Sequence, residues 1–387
     1  MKIQIEKNDF AKAIKIAKSC VHKNAFSDIL KMIYIDATNA KDEVSFSGNC
    51  IETGVIVTVP CIVIEPGDIC VDAETIYRIA TGLPSTSDPV ILEAQNGLST
   101  LKVSCGKVKQ VLPIEDGDAY IKIDESEDPA IELNTGLDTF LDAVKTVKPF
   151  MGYADNGRVM CRSLCLKVET DMYSVSAIDG FRVAYVEIGK DAVANGSFEA
   201  VIPSNHVAKL IQMLDSPNNQ NSVFSVMYTA NKHKLVFKKK NKYEDIYIRC
   251  ATFAEKYGDI KGFFPNSFEQ TIRFNRNELK EAVLRAGNFV MGNEKKPVLL
   301  DITDKGFANV SSHSSLGEYS EDIQIAPVGS TPLKMGFDPG YLVDMLNVIG
   351  EDTVDLMFKN FKSPMVTKID IGMTKLSFMI LPVNINA

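Results

Sequence analysis

Asp338-Pro339-Gly340-Tyr341-Leu342-Val343-Asp344-Met345-Leu346 reads as the opening turns of a helix. Asp338 is a residue type that caps helix N-termini, and Pro339 suits the first helical position, where no intrahelical N–H bond is lost. Two further stretches align to it without gaps: Asp72-Ala73-Glu74-Thr75-Ile76-Tyr77-Arg78-Ile79-Ala80 and Pro203-Ser204-Asn205-His206-Val207-Ala208-Lys209-Leu210-Ile211. Each follows directly on an apolar, strand-like residue, Val71, Ile202 or Phe337. The repeat period is about one third of the 387-residue chain, near the size of a single domain.

A second feature recurs in the same rhythm. Ile3-Gln4-Ile5, Ile131-Glu132-Leu133 and Ile272-Arg273-Phe274 each alternate as a strand does and lead into an amphipathic segment. The apolar positions there are Phe10, Ile14 and Ala17, then Leu137, Leu141 and Val144, then Leu279, Val283 and Ala286. Their i, i+4, i+7 spacing marks one face of an α-helix. Alternating runs such as Lys31-Met32-Ile33-Tyr34-Ile35 and Lys368-Ile369-Asp370-Ile371 fill the remainder. Each unit therefore reads β-α-βββ twice over, two helices on antiparallel sheet, and the fold class is α+β. Linkers are expected at 125–129 and 262–268, dividing the chain into domains 1–125, 126–262 and 263–387. Related units joined by heterologous contacts close into a ring or run on as a filament.

Apolar residues at 45% suffice for several cores, and no apolar run is long enough to span a bilayer. The alternating start lacks the apolar stretch of a signal peptide, so a soluble, cytoplasmic protein is expected. The eight cysteines are scattered, without CxxC, and read as reduced core thiols. Cys161 and Cys165 have a loose metal-like spacing that no second pair or nearby histidine completes, so neither metal nor cofactor is expected. A net charge of −8 argues against a protein that simply coats nucleic acid, while leaving room for a local basic face.

Catalysis finds no support. Phosphate-loop, nucleophile-elbow, zinc-helix and dinucleotide patterns are absent, and His22, His206, His233 and His313 fall far apart. The Ser-rich stretch Ser311-Ser312-His313-Ser314-Ser315 reads as a turn flanking a strand. The run Lys232 to Lys242, the most basic in the chain, reads as a solvated hairpin turn.

Four segments, in order, carry a resemblance to the β subunit of bacterial DNA polymerase III. They are Ala177-Ile178-Asp179-Gly180-Phe181-Arg182-Val183-Ala184, the stretch from Tyr257 to Pro265, the helix start at Phe337 to Leu346, and the closing Met379-Ile380-Leu381-Pro382-Val383. The resemblance covers essentially the whole length. It implies a DNA sliding clamp: a non-catalytic, head-to-tail homodimer closed around duplex DNA, serving as processivity factor of a replicative polymerase. It further implies a cleft that takes short linear peptides of polymerase, clamp loader and repair proteins. Carried over residue by residue, the cleft comprises Cys161, Ile178, Gly180, Phe181, Arg182, Val183, Gly258, Phe263, Met379, Leu381, Pro382 and Val383, with Ser363, Pro364 and Met365 at its rim. Phe181 stands where the family usually has His, Gly258 where it has Pro, Gly262 where it has a basic residue and Ile178 where it has Thr. An altered peptide preference is the expected consequence.

Sliding demands contacts that ignore base sequence, so lysines and arginines touching phosphate are the candidates. Lys12, Lys15 and Lys18 form a basic stripe on the first helix, and Lys145 and Lys148 repeat it on the second domain's helix. Lys280 and Arg285 are a weaker counterpart on the third. Lys209 joins the set, and the resemblance adds Lys23, Asn24, Lys295 and Lys296 on loops. Charged residues opposite an apolar stripe are also what any solvated face presents. The dimer seam is expected to pair the strand from Lys107 through Gln110 to Leu112 with a third-domain edge near Val290 and Met291. A repeat scaffold that binds peptides but not DNA is the other reading; convergence of the basic helix residues on one face would separate the two.

Overall fold

The computed structural model describes the chain except residues 22–26, 40–41, 95–98, 126–130, 154–156, 190–192, 217–218, 230–232, 291–296, 329–331, 384 and 386–387. The first repeat runs β1 (Lys2–Ile5), α1 (Lys7–Ser19), β2 (Met32–Asp36), β3 (Glu43–Asn49), β4 (Thr53–Pro60), β5 (Ile62–Glu65), β6 (Asp68–Asp72), α2 (Ala73–Thr81), β7 (Val90–Ala94), β8 (Thr100–Cys105) and β9 (Val108–Asp116). The second runs β10 (Ile131–Asn134), α3 (Leu137–Val147), β11 (Ser163–Val168), β12 (Met172–Ile178), β13 (Arg182–Gly189), β14 (Val193–Ala194), β15 (Phe198–Pro203), α4 (Ser204–Leu214), β16 (Val223–Thr229), β17 (Lys234–Lys240) and β18 (Asp245–Ala251). The third runs β19 (Gln270–Asn275), α5 (Arg276–Gly287), β20 (Val298–Ile302), β21 (Phe307–Ser314), β22 (Gly317–Val328), β23 (Leu333–Phe337), α6 (Pro339–Val348), β24 (Thr353–Phe358), β25 (Met365–Ile371) and β26 (Thr374–Ile380). The sheets are antiparallel and the fold is α+β.

Local chemistry places the helices as their sequences dictate. Phe10, Ile14 and Ala17 are wholly buried on α1, and Leu279, Val283 and Ala286 on α5. The Asp72 carboxylate caps α2 by accepting from the Thr75 N–H at 2.8 Å. Asp338 does the same for α6, accepting from Gly340 and Tyr341.

The chain forms two compact units that cut across the repeats: residues 1–141 with 192–254, and 142–191 with 255–387. In the first, fourteen strands run in the order β14-β10-β16-β17-β18-β4-β3-β2-β6-β9-β8-β7-β1-β5. The second repeat's last hairpin thus continues the first repeat's sheet, with β18 pairing β4 from Asp245↔Thr58 to Cys250↔Thr53. In the second unit the order is β11-β12-β13-β26-β25-β24-β19-β22-β21-β20-β23. There the third repeat's last strand plays the same part, with β26 pairing β13 from Thr374↔Ile188 to Ile380↔Arg182. Each unit holds one whole repeat and part of the second because these junction strands carry full ladders of hydrogen bonds.

The basic run from Lys232 to Lys242 is not a solvated turn. Most of its described part, Lys234–Lys240, is β17, flanked on both sides by β16 and β18. Pleating turns alternate residues inward, so Leu235, Phe237 and Lys239 are buried while Lys240 faces out. Lys239 is 1% exposed, and its ammonium donates to Asn219 Oδ1 at 2.7 Å and Glu244 Oε1 at 2.8 Å. The serines from Ser311 to Ser314 likewise belong to strand β21 rather than to a turn. All eight cysteines are free thiols, and only Cys50 is more than marginally exposed. No helix among the described residues is long and apolar enough to cross a membrane.

Candidate partner-binding site

Within the second unit, the β12–β13 turn presents an aromatic side chain to solvent and holds it there. Asp179 Oδ1 accepts from the Phe181 and Arg182 N–H groups at 2.9 and 3.0 Å, and Gly180 takes φ +101°, a conformation that favours glycine. The Leu381 N–H donates to the Phe181 carbonyl at 2.9 Å, tying the turn to the segment after β26. Phe181 is 60% exposed, and its ring stacks on Tyr341 of α6 at 6.4 Å between centroids and 27° between planes. Three hydrogen bonds thus hold the turn that presents a large apolar side chain to water.

Arg182 supports this turn from below. Its Nε donates to Asp179 at 2.8 Å, one terminal nitrogen to Asp344 at 2.7 Å and the other to the Pro149 carbonyl at 2.6 Å. The guanidinium lies 5.2 Å from the Phe150 ring centre and 4.2 Å from that of Tyr341. At 7% exposure Arg182 is a buried brace. Burial pushes the Tyr341 hydroxyl up, and the Asp179 and Asp338 charges add to the shift.

The remaining cleft residues divide by depth. Leu381 and Val383 are well exposed, and Ile178 and Pro382 are half-buried. A cavity of about 410 Å³ opens beside them, lined by Met335, Phe361, Pro382, Val383 and Ile385. Phe263 is 45% exposed on a short turn that Lys261 pins to β13, its ammonium 2.6 Å from Glu187 Oε2. That bond holds the Lys261 ammonium well above its ordinary range. Gly258, at φ +94°, sits where a side chain would meet Met160, and a Cβ on Gly180 would meet the Cys161 sulfur. Burial raises the Cys161 thiol, against the pull of Arg158. Val183, Cys161 and Met379 are buried beneath the surface. Met365 is not at a rim: it is 0% exposed, in β25 opposite Ile380, because the strand begins one residue earlier than the loop reading allows. Pro364, preceding it, is half-buried.

Asp179, Tyr341 and Asp344 belong to the site and are absent from the residues the sequence reading assigned to it. A helical i, i+3 spacing puts Tyr341 and Asp344 on one face of α6, but which face meets Arg182 is a long-range fact.

The candidate basic residues are differently placed. In the first unit Lys15 is exposed, whereas the Lys12 ammonium is 2.6 Å from Glu244, a carboxylate only 2% exposed, and serves that buried charge. Lys18 pairs with Glu74 at 2.9 Å and covers the Tyr77 ring. The Lys209 ammonium donates to the Cys50 sulfur at 3.6 Å. In the second unit Lys145 is half-buried and Lys148 exposed, and Arg285 is bound to Glu321 at 2.8 Å. Lys23, Asn24, Lys295, Lys296 and Met291 lie outside the described residues. Lys107 is exposed in the β8–β9 turn, Gln110 is half-buried and Leu112 is 3% exposed on β9. Val290 is no edge residue: it is 7% exposed in the turn after α5, packed inward where the helix ends.

Comparison with known proteins places these features in a family. Residues 1–123 match the DNA polymerase III beta subunit N-terminal domain, and residues 261–383 the C-terminal domain of the same subunit. The beta sliding clamp of Bacillus subtilis is 25% identical over 393 residues, covering 99% of both chains. The crystal structure of a putative DNA polymerase III beta subunit from Eubacterium rectale superposes with a TM-score of 0.86 at 25% identity, covering 100% of both chains. A Bacillus subtilis sliding clamp structure gives 0.85 at 22% identity and 99% coverage of each.

Proposed function

The chain belongs to the DNA polymerase III beta subunit family and is a DNA sliding clamp, and on that premise we propose that it acts without catalysis, as a ring that encircles duplex DNA and tethers other proteins to it. The ring is a head-to-tail homodimer, each chain contributing domains 1–125, 126–262 and 263–387. Contact with DNA ignores base sequence, through exposed cations such as Lys15 and Lys148. Topological linkage retains the ring, so electrostatic attraction stays weak enough for sliding, in keeping with a net charge of −8.

Tethering uses the surface around Phe181. The observation that carries this is the exposed Phe181 ring, stacked on the half-buried Tyr341 and tied through its carbonyl to the exposed Leu381. Short linear peptides of a replicative polymerase, a clamp loader and repair proteins would place apolar anchors there. The location is the cytoplasm, where DNA and reduced thiols are found together.

The test is retention on circular against linearised DNA. Protein held on circles and released when they are cut is the expected result. Equal behaviour on both forms overturns the ring and leaves a peptide-binding scaffold.

A further inference from the structure

Three thiols of the first unit meet one face of α4. His206, Lys209 and Met213 recur at i, i+3 and i+7, so the helix presents them together. Each meets a sulfur carried by a different element. His206 Nδ1 lies 3.4 Å from Cys250 Sγ of β18, and Met213 Sδ accepts at 3.5 Å from Cys20 Sγ, at the end of α1. Between them the Lys209 ammonium donates at 3.6 Å to Cys50 Sγ, in the β3–β4 turn.

The three sulfurs are not equivalent. Cys20 and Cys250 are buried, and burial pushes the Cys20 thiol up to about 12 and raises the Cys250 thiol as well. Cys50 is half-buried, and its S–H donates to the Thr53 carbonyl at 3.2 Å. Reactive thiols are partly exposed with a cation against the sulfur, whereas thiols sealed in apolar surroundings are inert. A further donor lies near the same sulfurs. The Tyr120 hydroxyl is buried at 6% exposure and has no hydrogen-bond partner among the described residues. Burial pushes that hydroxyl up, and the Cys70, Cys20 and Cys50 charges add to the shift. A buried donor of this kind is suited to holding a small polar ligand.

We infer that Cys50 and Lys209 form an oxidisable pair, which a hydroperoxide closes into a covalent S–N link between the first repeat's β3–β4 turn and the second repeat's α4. The Cys50 sulfur attacks peroxide, the O–O bond breaks, and a sulfenic acid and water result. Lys209 releases a proton to solvent, and its amine then attacks the sulfenic sulfur and expels a second water. Thiol, ammonium and one peroxide thus give the S–N link, two waters and one proton, the sulfur being oxidised and the peroxide reduced. Cys20 does not take the place of the amine, because it is wholly buried with its S–H turned to Met213. Closing the link removes a positive charge from α4 and ties two repeats together. It lies within the first unit and depends neither on the ring nor on the peptide surface.

The test is to treat the intact protein with hydrogen peroxide, digest it without reductant and weigh the peptides. The Cys50 and Lys209 peptides are expected joined, lighter than their sum by two hydrogen atoms, and separated again by dithiothreitol. Lys209→Arg keeps the charge but lacks the amine, so Cys50 should stop at the sulfenic acid and take up a 1,3-dione probe several-fold more than wild type. Cys50→Ser should give neither link nor label. Cys50 joined to Cys20 instead, or dione labelling equal in wild type and Lys209→Arg, overturns the pair. Cys50 left unmodified by peroxide that converts the 45%-exposed Met373 to its sulfoxide overturns the reactivity itself.

Discussion

The Arg182 guanidinium lies 4.2 Å from the centre of the Tyr341 ring, and Tyr341 in turn supports the exposed Phe181. One buried cation thus orders an aromatic surface that it does not itself present to solvent.

Removing that brace should cost stability first. Arg182→Ala leaves Asp179, 10% exposed, and Asp344, 40% exposed, without their cation. A buried pair broken on one side loses about 3–5 kcal/mol, and the exposure of Asp344 reduces this to roughly 2–3 kcal/mol. Calorimetry should show a lowered unfolding transition, smaller for Asp344→Asn than for Arg182→Ala. An unchanged thermogram would contradict the bracing role.

Phe181→Ala should behave in the opposite way. The ring is 60% exposed, so folding stability should change little. Affinity for a pentapeptide with Leu and Phe anchors should fall by about tenfold or more, the usual scale for losing an aromatic anchor. Titration calorimetry on the intact protein reads both the wild-type and variant affinities. Equal affinity would place the peptide elsewhere.

Two lysines on α1 should separate by role. Lys15→Ala should lower the slope of log affinity against log salt on duplex DNA by roughly one, as losing one phosphate contact does. Lys12→Ala should instead destabilise the fold, because among the described residues Glu244 then keeps Lys239 alone as a cation partner. A Lys12 variant that is fully stable but weak on DNA would reverse the assignment.

A pH effect follows from Asp355. The hydrogen bond and charge of Arg273, at 2.7 Å, hold its carboxyl below the ordinary 3.8. A depressed carboxyl contributes stability above its unfolded value, and that contribution is lost as pH falls through the folded value. Arg273 is 58% exposed, so solvent screening keeps the contribution of the pair small. Asp355→Asn should be slightly less stable than wild type at pH 7 and indistinguishable from it well below pH 3.8. A difference that persists in acid would show that packing, not charge, is responsible.

Much of the fold was legible along the chain because its causes are local. The apolar faces of α1, α3 and α5 follow from i, i+4, i+7 spacing, and the starts of α2 and α6 from Asp72 and Asp338, whose carboxylates need only N–H groups two or three residues away. The threefold recurrence was also readable, since it is a matter of order and composition, whereas Phe181 entered only through the resemblance. Burial of charge was not. Lys239 looks like its solvated neighbours until β16 and β18 close on either side of it and Glu244 comes within 2.8 Å. Arg182 reads as a surface ligand until Asp344, 162 residues away, takes its charge. Sequence patterns report which residue types alternate. Which strand covers them, which edge stays open and which carboxylate meets which cation depend on contacts between distant segments, and only tertiary packing decides those.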